Sequence, residues 1–322
     1  MRAVVYRKYG SWDELKLEEV EKPSPSSDEV LIRIRAVAIN DWDWQMLQGI
    51  PFVNRMDNGL RRPRKIILGL DIAGRIDSVG KQVTGFKAGD EVYGDISGTW
   101  GGFAEYVCVK ESKLALVPAG ISFAEAAATS HAANLAVQGL IDVGRIQRGQ
   151  KILINGAGGG VGTFGMQIAR LYEAEVTGVD NSEKLDSMSS LGFDHVIDYM
   201  KEDFTQNGKQ YDLILDTKTN RPPSAYLRAL SPRGTYVTVG GDTGKLLGGV
   251  LVMGSLISMV GKKSLRLVIL KANKDSAYIN ELYGSGKIKP IIDGPYPLAD
   301  LPGQMRRFGA GKHRGKIVIE MP

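Results

Sequence analysis

The stretch "KILINGAGGGVGTFGMQIARLY", residues 151–172, constrains this chain more than any other. An apolar, β-branched run leads into a glycine-rich turn, and Val161, Phe164, Ile168 and Leu171 then recur at helical spacing. Glycine lets a backbone adopt positive φ and approach a bulky anion closely, and a helix N-terminus offers N–H groups and a positive dipole end. Strand, glycine turn and helix in that order are the signature of a dinucleotide-binding βαβ unit. A literal G-x-G-x-x-G falls on Gly160, Gly162 and Gly165, inside the expected helix. The register that fits the turn is Ala157, Gly159 and Gly162. An acid, Asp180, follows 18 residues after Gly162 at the end of the next strand-like run. A carboxylate there accepts hydrogen bonds from ribose hydroxyls and repels a 2′-phosphate, which on its own favours NADH.

The pattern continues. "EVTGV", "HVIDY", "YDLILDT", "GTYVTVG" and "LRLVIL" (265–270) read as strands alternating with helices, six strands in all with "KILIN". That alternation predicts a doubly wound parallel sheet. Upstream, residues 1–120 are short β-branched runs separated by Gly, Pro, Asp and Ser, which predicts a small barrel. Ser122 and Glu125 form a capping box that opens an Ala-rich helix. The terminal run "KIVIE" (316–320) needs a sheet partner, and we expect it to return to the first domain. The expected division is 1–121 plus 275–322 for the first domain and 122–274 for the second.

Composition narrows the functional classes. The net charge of +5 in 322 residues is spread out, with no Lys/Arg block, and nucleic acid is not an expected partner. The longest apolar stretch, 248–261, is too short and Gly/Ser-rich for a membrane span and reads as buried core or an interface helix. No signal-peptide pattern opens the sequence, so a cytoplasmic location is the expectation. One cysteine, Cys108, excludes an intrachain disulfide and a cysteine-rich zinc lobe. The three histidines, His131, His195 and His313, are scattered, and His131 reads as a helix-packing residue.

With "EVLIRIRAVAIN", "ILGLDIAG", "GDEVYG", "GGFAEYV", "GAGGGVGTFGMQIA", "DHVIDY" and "RGKIVIE" in view, the chain resembles the medium-chain dehydrogenase/reductase superfamily nearly end to end. The similarity is greatest to its zinc-free quinone oxidoreductase branch. The resemblance implies a GroES-like β-barrel domain built from both chain ends, with a Rossmann domain inserted and a nicotinamide in the cleft between them. It implies NADPH as the usual cofactor, against the reading of Asp180, so NADPH and NADH both stay open. It also implies a homodimer.

Zinc-containing relatives place ligands where this chain has Asn40, Leu70 and a residue near Ser130. Asn is a poor zinc ligand and Leu is none, so no metal is expected. Hydride transfer to a quinone or α,β-unsaturated carbonyl then suits the chain, because such acceptors spread the developing charge themselves. An alcohol or aldehyde dehydrogenase, or a low-turnover NADPH-binding redox sensor or scaffold, are the alternatives. By resemblance, Asn40 and Asp43 in "AINDWDW" are the catalytic candidates, and Trp42, Trp44 and Trp100 the candidate substrate platform. Gly158, Gly159, Gly160 and Val161 would meet the pyrophosphate. Asp180, Asn181, Lys184 and Tyr199 would lie near the adenosine end. Gly240 and Gly241 would flank the nicotinamide half, and Lys312 and Arg314 would close over the cofactor. After "LDT" the chain reads "KTNRPPSAYL" where relatives carry a small, Gly-containing turn, a departure at the nicotinamide side.

Overall fold

The structure is a computed structural model that describes residues 1–241 and 262–321. The apolar stretch 248–261 lies outside the described residues. The chain divides into two compact units: Met1–His131 with Ala272–Asn280 and Pro290–Pro322, and Ala132–Lys271 with Glu281–Lys289. No helix among the described residues is long and apolar enough to cross a membrane.

Unit 1 carries a two-stranded sheet, β1 (Arg2–Val5) with β2 (Lys16–Glu19), and a seven-stranded sheet. The larger sheet is built on β3 (Glu29–Ala38), β4 (Asp71–Val79), β5 (Glu91–Asp95), β6 (Tyr106–Lys110) and β7 (Ala115–Leu116). In β3, Val30, Ile32 and Ile34 point into the core while Arg33 and Arg35 face water. Each buried aliphatic side chain contributes roughly 1.5–3 kcal/mol, so a one-residue slip that exposed all three would be strongly disfavoured. Three helices matter for the site: α1 (Asp41–Gln48), α2 (Val53–Asn58) and α3 (Phe123–Val137). The capping box at the start of α3 is present: Ser122 N donates to Glu125 Oε2 at 3.0 Å and Glu125 N to Ser122 Oγ at 3.2 Å. Ala124, Ala126, Ala127 and Ala128 of α3 pack on Ala36, Ala38, Ala73 and Val318. Small residues on both sides let helix and sheet approach closely.

Unit 2 holds the doubly wound sheet. Its strands are β8 (Lys151–Asn155), β9 (Glu175–Asp180), β10 (His195–Asp198), β11 (Tyr211–Asp216), β12 (Leu230–Thr238) and β13 (Ser264–Leu267). The order is β10-β9-β8-β11-β12-β13, with every pairing parallel. The strand order reverses between β8 and β11, and ligands of such sheets bind outside the carboxyl ends at that switch. The sixth strand is shorter than its apolar run, ending at Leu267. Helix α4 (Gly160–Leu171) follows β8, α5 (Leu185–Leu191) follows β9, and α6 (Pro223–Ala229) precedes β12.

The remaining elements are α7 (Ser276–Gly284), β14 (Ile292–Pro297), α8 (Leu301–Gly309) and β15 (Lys316–Glu320). The returning strand is where the sequence places it. β15 lies antiparallel to β3, with Val318 opposite Ala38, and parallel to β14.

Candidate active site

In unit 2, the turn after β8 begins at Gly156, whose φ is +83°; a Cβ there would sit 2.1 Å from Thr217 Oγ1. Gly159 is the N-cap of α4 and has no side chain to cap it, so the first-turn N–H groups are left for an anion. The literal glycine motif lies within α4, as expected. Gly162 faces the turn so closely that a Cβ would fall 2.5 Å from the Ala157 backbone. Gly159, Gly160 and Val161 are half-exposed at this turn.

Gly158 has a different job from the one the resemblance implies. Its N–H donates to Asp180 Oδ2 at 2.9 Å, and a Cβ would meet Lys184 Cδ at 2.6 Å. The residue is buried, and its amide is spent on Asp180 rather than offered to a phosphate.

Asp180 ends β9 with its carboxylate already engaged. Oδ1 accepts from Asn181 N at 2.9 Å and lies 3.2 Å from Lys184 Nζ. Both Asp180 and Lys184 are buried. The charge that would repel a 2′-phosphate is thus paired with an ammonium, which removes the argument from Asp180 for NADH. Asn181 accepts from Glu183 N to start the following turn. Exposed Tyr199 follows β10 and donates its N–H to Asp180 O at 3.1 Å, so it stands beside the same edge. Gly240 and Gly241 follow β12 at that edge, and Gly241, at φ +118°, lies against Lys218 O.

Sequence reasoning missed Asp216. This fully buried carboxylate accepts from Asn155 Nδ2 (2.8 Å), Lys218 N (2.7 Å), Thr219 N (3.1 Å) and Tyr236 Oη (3.0 Å). It ties the carboxyl ends of β8, β11 and β12 together and shapes the turn that replaces the small one of relatives. Thr219 sits in that turn at φ +42°.

In unit 1, "AINDWDW" is the start of α1, not an extended loop. Asn40 is the N-cap, and its N–H donates to Asp43 Oδ2 at 2.9 Å. The helix turns Trp42 and Trp44 to different sides. Trp44 packs against the backbone at Gly309 of α8, where a Cβ would clash with its ring at 2.4 Å; it is a packing residue, not a substrate platform. Trp42 is 37% exposed, with its ring edge-to-face on Trp100 at 5.4 Å. Trp100 is itself 2% exposed and belongs to the core beneath, so only Trp42 of the three offers a surface.

Asn40 does not hold a free amide for substrate. Its Nδ2 donates to Ala38 O and to Asp71 Oδ2, both at 3.1 Å, and its Oδ1 accepts from Lys316 Nζ. Lys316 Nζ also donates to Asp71 Oδ2 at 2.9 Å, and Lys316 and Asp71 are both buried. Asp71 Oδ1 accepts the main-chain N–H of His131 at 2.9 Å. His131 Nδ1 in turn lies 2.7 Å from Asp95 Oδ2. His131 is therefore no simple packing residue; it belongs to a buried charged cluster. Burial raises the Asp71 carboxyl above its ordinary value, with Lys316 and His131 pulling against this. Burial would raise Asp95 too, but the His131 hydrogen bond and charge hold it below the usual carboxylate range.

Asp43 is fully buried and accepts from Asn40 N and Gly69 N, each at 2.9 Å. Both oxygens staple α1 to the segment before β4, which leaves neither for proton relay. Burial pushes its pKa up to about 7, against those two backbone hydrogen bonds. Unfolded, the carboxyl ionises near its ordinary value of 3.8. Between the two values the unfolded chain binds fewer protons, so this group's contribution to stability falls as pH rises and levels off above 7. Chemical denaturation of wild type and Asp43→Asn across that range checks this. The stability of wild type relative to Asp43→Asn should rise as pH falls from 7 towards 4, and a pH-independent difference would refute the assignment.

The donor set around Asn40 does not fit zinc. The Asn40 amide is consumed, Leu70 is apolar and buried, and Asp71 already faces an ammonium. Lys312 and Arg314 lie on the exposed turn before β15, where Arg314 N donates to Asp293 Oδ2 at 3.1 Å.

Known proteins resemble this chain over its length. Residues 26–119 match the alcohol dehydrogenase GroES-like domain and residues 191–319 the zinc-binding dehydrogenase family. A 2-methylene-furan-3-one reductase of Solanum lycopersicum is 34% identical over 99% of this chain and 79% of its own. A chloroplastic NADPH-dependent alkenal/one oxidoreductase of Arabidopsis thaliana is 32% identical over the same shares. Among solved structures, the Escherichia coli quinone oxidoreductase complexed with NADPH superposes with a TM-score of 0.86 at 24% identity, covering 100% of both chains, a likeness of fold. A chloroplastic quinone-oxidoreductase homolog of Spinacia oleracea shares 32% identity across 99% of this chain and 98% of its own. Likeness over that full length makes this chain a member of the medium-chain dehydrogenase/reductase family, in its zinc-free quinone oxidoreductase-like branch.

Proposed function

We propose that the protein is a zinc-independent reductase that transfers hydride from NADPH, and less effectively NADH, to quinones or α,β-unsaturated carbonyls. The observation that carries this reading is the Asn40–Asp71–Lys316 cluster. Its donors cannot hold a Lewis-acid ion, so an acceptor must spread the incoming negative charge over its own conjugated system. The nicotinamide, when bound, supplies the hydride. The chain's part is to hold the pyrophosphate at Gly159, Gly160 and Val161, to keep Asp180 neutralised, and to orient the acceptor. Exposed Trp42, braced by Trp100, is the flat surface available for that. The names of the spinach, tomato and Arabidopsis relatives support the same acceptor classes. The two-domain division given by the sequence, homodimerisation and a cytoplasmic location stay part of this reading, resting on the sequence and the resemblance.

Steady-state oxidation of NADPH and NADH against a small quinone and enone panel tests it. Lys184→Ala should raise the KM for NADPH by roughly 10- to 100-fold, the scale of a lost charge-assisted contact, and change that for NADH less. Absence of turnover across the panel despite measurable NADPH binding would sink the reductase reading. A wild type that prefers NADH, unchanged by Lys184→Ala, would sink the cofactor assignment.

A further inference from the structure

We propose that His131 is the proton donor of this reaction, delivering from Nε2 the proton that an acceptor needs once it has taken up a hydride. The inference rests on the reductase reading above.

The ring is fixed from two sides. Nδ1 faces Asp95 Oδ2 at 2.7 Å, and the main-chain N–H of the same residue is held by Asp71 Oδ1 at 2.9 Å. Asp95 is fixed in turn: Oδ1 accepts from Ser97 N, and its main-chain N–H and C=O both bond to the Asn273 amide, each at 2.8 Å. A carboxylate at Nδ1 requires the proton to be on that nitrogen, which leaves Nε2 as the atom that gains and loses one. Nε2 bonds to no described residue. Nor is it among the buried side-chain atoms that find no hydrogen-bond partner among the described residues. It is therefore the ring edge turned to solvent, in keeping with a side chain 12% exposed.

The neighbouring polar groups are committed to bonds within the cluster. Both amide hydrogens of Asn40 are donated internally, both oxygens of Asp43 accept from backbone, and the Lys316 ammonium is bound by Asn40 and Asp71. The charged groups acting on the imidazole are Asp95, Asp71 and Lys316. Burial favours the neutral ring, but the Asp95 hydrogen bond and the charges of Asp95 and Asp71 outweigh burial and Lys316. The imidazole is thus raised above its ordinary value.

The step balances. Hydride addition to the β-carbon of an enone forms a C–H bond and moves the π pair onto the α-carbon and oxygen. The Nε2–H bond then breaks, the proton goes to the enolate, and the bonding pair stays on a neutral imidazole that is reprotonated by water. A quinone gives an oxygen anion instead, which water protonates readily. Enones should therefore depend on His131 more than quinones do.

The test is His131→Gln, which keeps a polar amide but cannot ionise, with Asp95→Asn as a second variant. kcat is measured against pH for an enone and a quinone, NADPH affinity by fluorescence, and the His131 titration by NMR in cofactor-free protein. His131→Gln should lose roughly 100-fold or more in enone kcat and less than about 10-fold in quinone kcat, the general-acid range, with NADPH affinity unchanged. The alkaline fall of wild-type enone kcat should vanish in that variant. Asp95→Asn should move both that limb and the NMR titration to lower pH. Wild-type enone kcat and pH profile in His131→Gln would overturn the proposal alone. A wild type that reduces neither class would overturn the reductase reading and this proposal together, and the NMR titration would still report the dyad.

Discussion

Lys316→Met should destabilise the protein by about 3–5 kcal/mol at pH 8, the cost of leaving a buried carboxylate without its cation. Asp71 is fully buried, and among the described residues its Oδ2 accepts from the Lys316 ammonium and an Asn40 amide hydrogen. The loss should be smaller at pH 5, where the orphaned carboxyl can take up a proton instead. Because one methionine could also disturb packing, the double variant Asp71→Asn/Lys316→Met separates the effects. If the charge is the cause, the double variant recovers a substantial part of the loss, and a double-mutant cycle reads the coupling. Equal destabilisation at both pH values, with no recovery, would show that Lys316 matters only through its stem.

Gly162→Val should weaken cofactor binding strongly while leaving unit 1 folded. The added Cβ would fall 2.5 Å from the Ala157 backbone, and the branched γ-carbons deepen the clash, so α4 must move away from its turn. Overpacking of this kind costs typically 1–3 kcal/mol in stability. The loss of NADPH affinity should be larger, on the order of 100-fold, because a shift of a few tenths of an ångström misdirects several N–H donors at once. Titration of NADPH fluorescence measures it. Gly160→Ala, at a half-exposed position of that turn, should be far milder in stability, and equal effects on stability at the two sites would refute the packing argument.

The two sheets were legible because their information is local. Six apolar runs separated by helical periodicity dictate a parallel sheet, and the strand-turn-helix at 151–172 dictates its ligand edge. Helix α1 was less legible because "DWDWQMLQ" has no apolar stripe of period 3.6. Its signals were the Asn40–Asp43 spacing and Gly49, the C-cap at φ +63°. The roles of Asn40, Gly158 and Asp180 were not legible, because each is set by partners whose approach no local pattern announces. Asn40 meets Lys316 across 276 positions, and Gly158 meets Asp180 only when β9 lies beside β8. The one hint for Lys316 was a lysine opening an otherwise apolar strand, "KIVIE". His131 shows the same limit: its carboxylates, Asp71 and Asp95, sit 60 and 36 residues away.

The place of β15 beside β3 has a consequence for how the protein is made. A ribosome releases β3 and Asp71 early, and all of residues 132–271 must emerge before Lys316 does. Unit 2 is almost continuous in sequence, so it can begin folding while unit 1 still lacks β14, β15 and the Lys316 ammonium that bonds to Asp71. Pairings this distant are slow to form. During that interval the exposed edge of β3 is the vulnerable surface of the nascent chain, the natural place for a chaperone to hold it or for a neighbouring copy to pair with it by mistake.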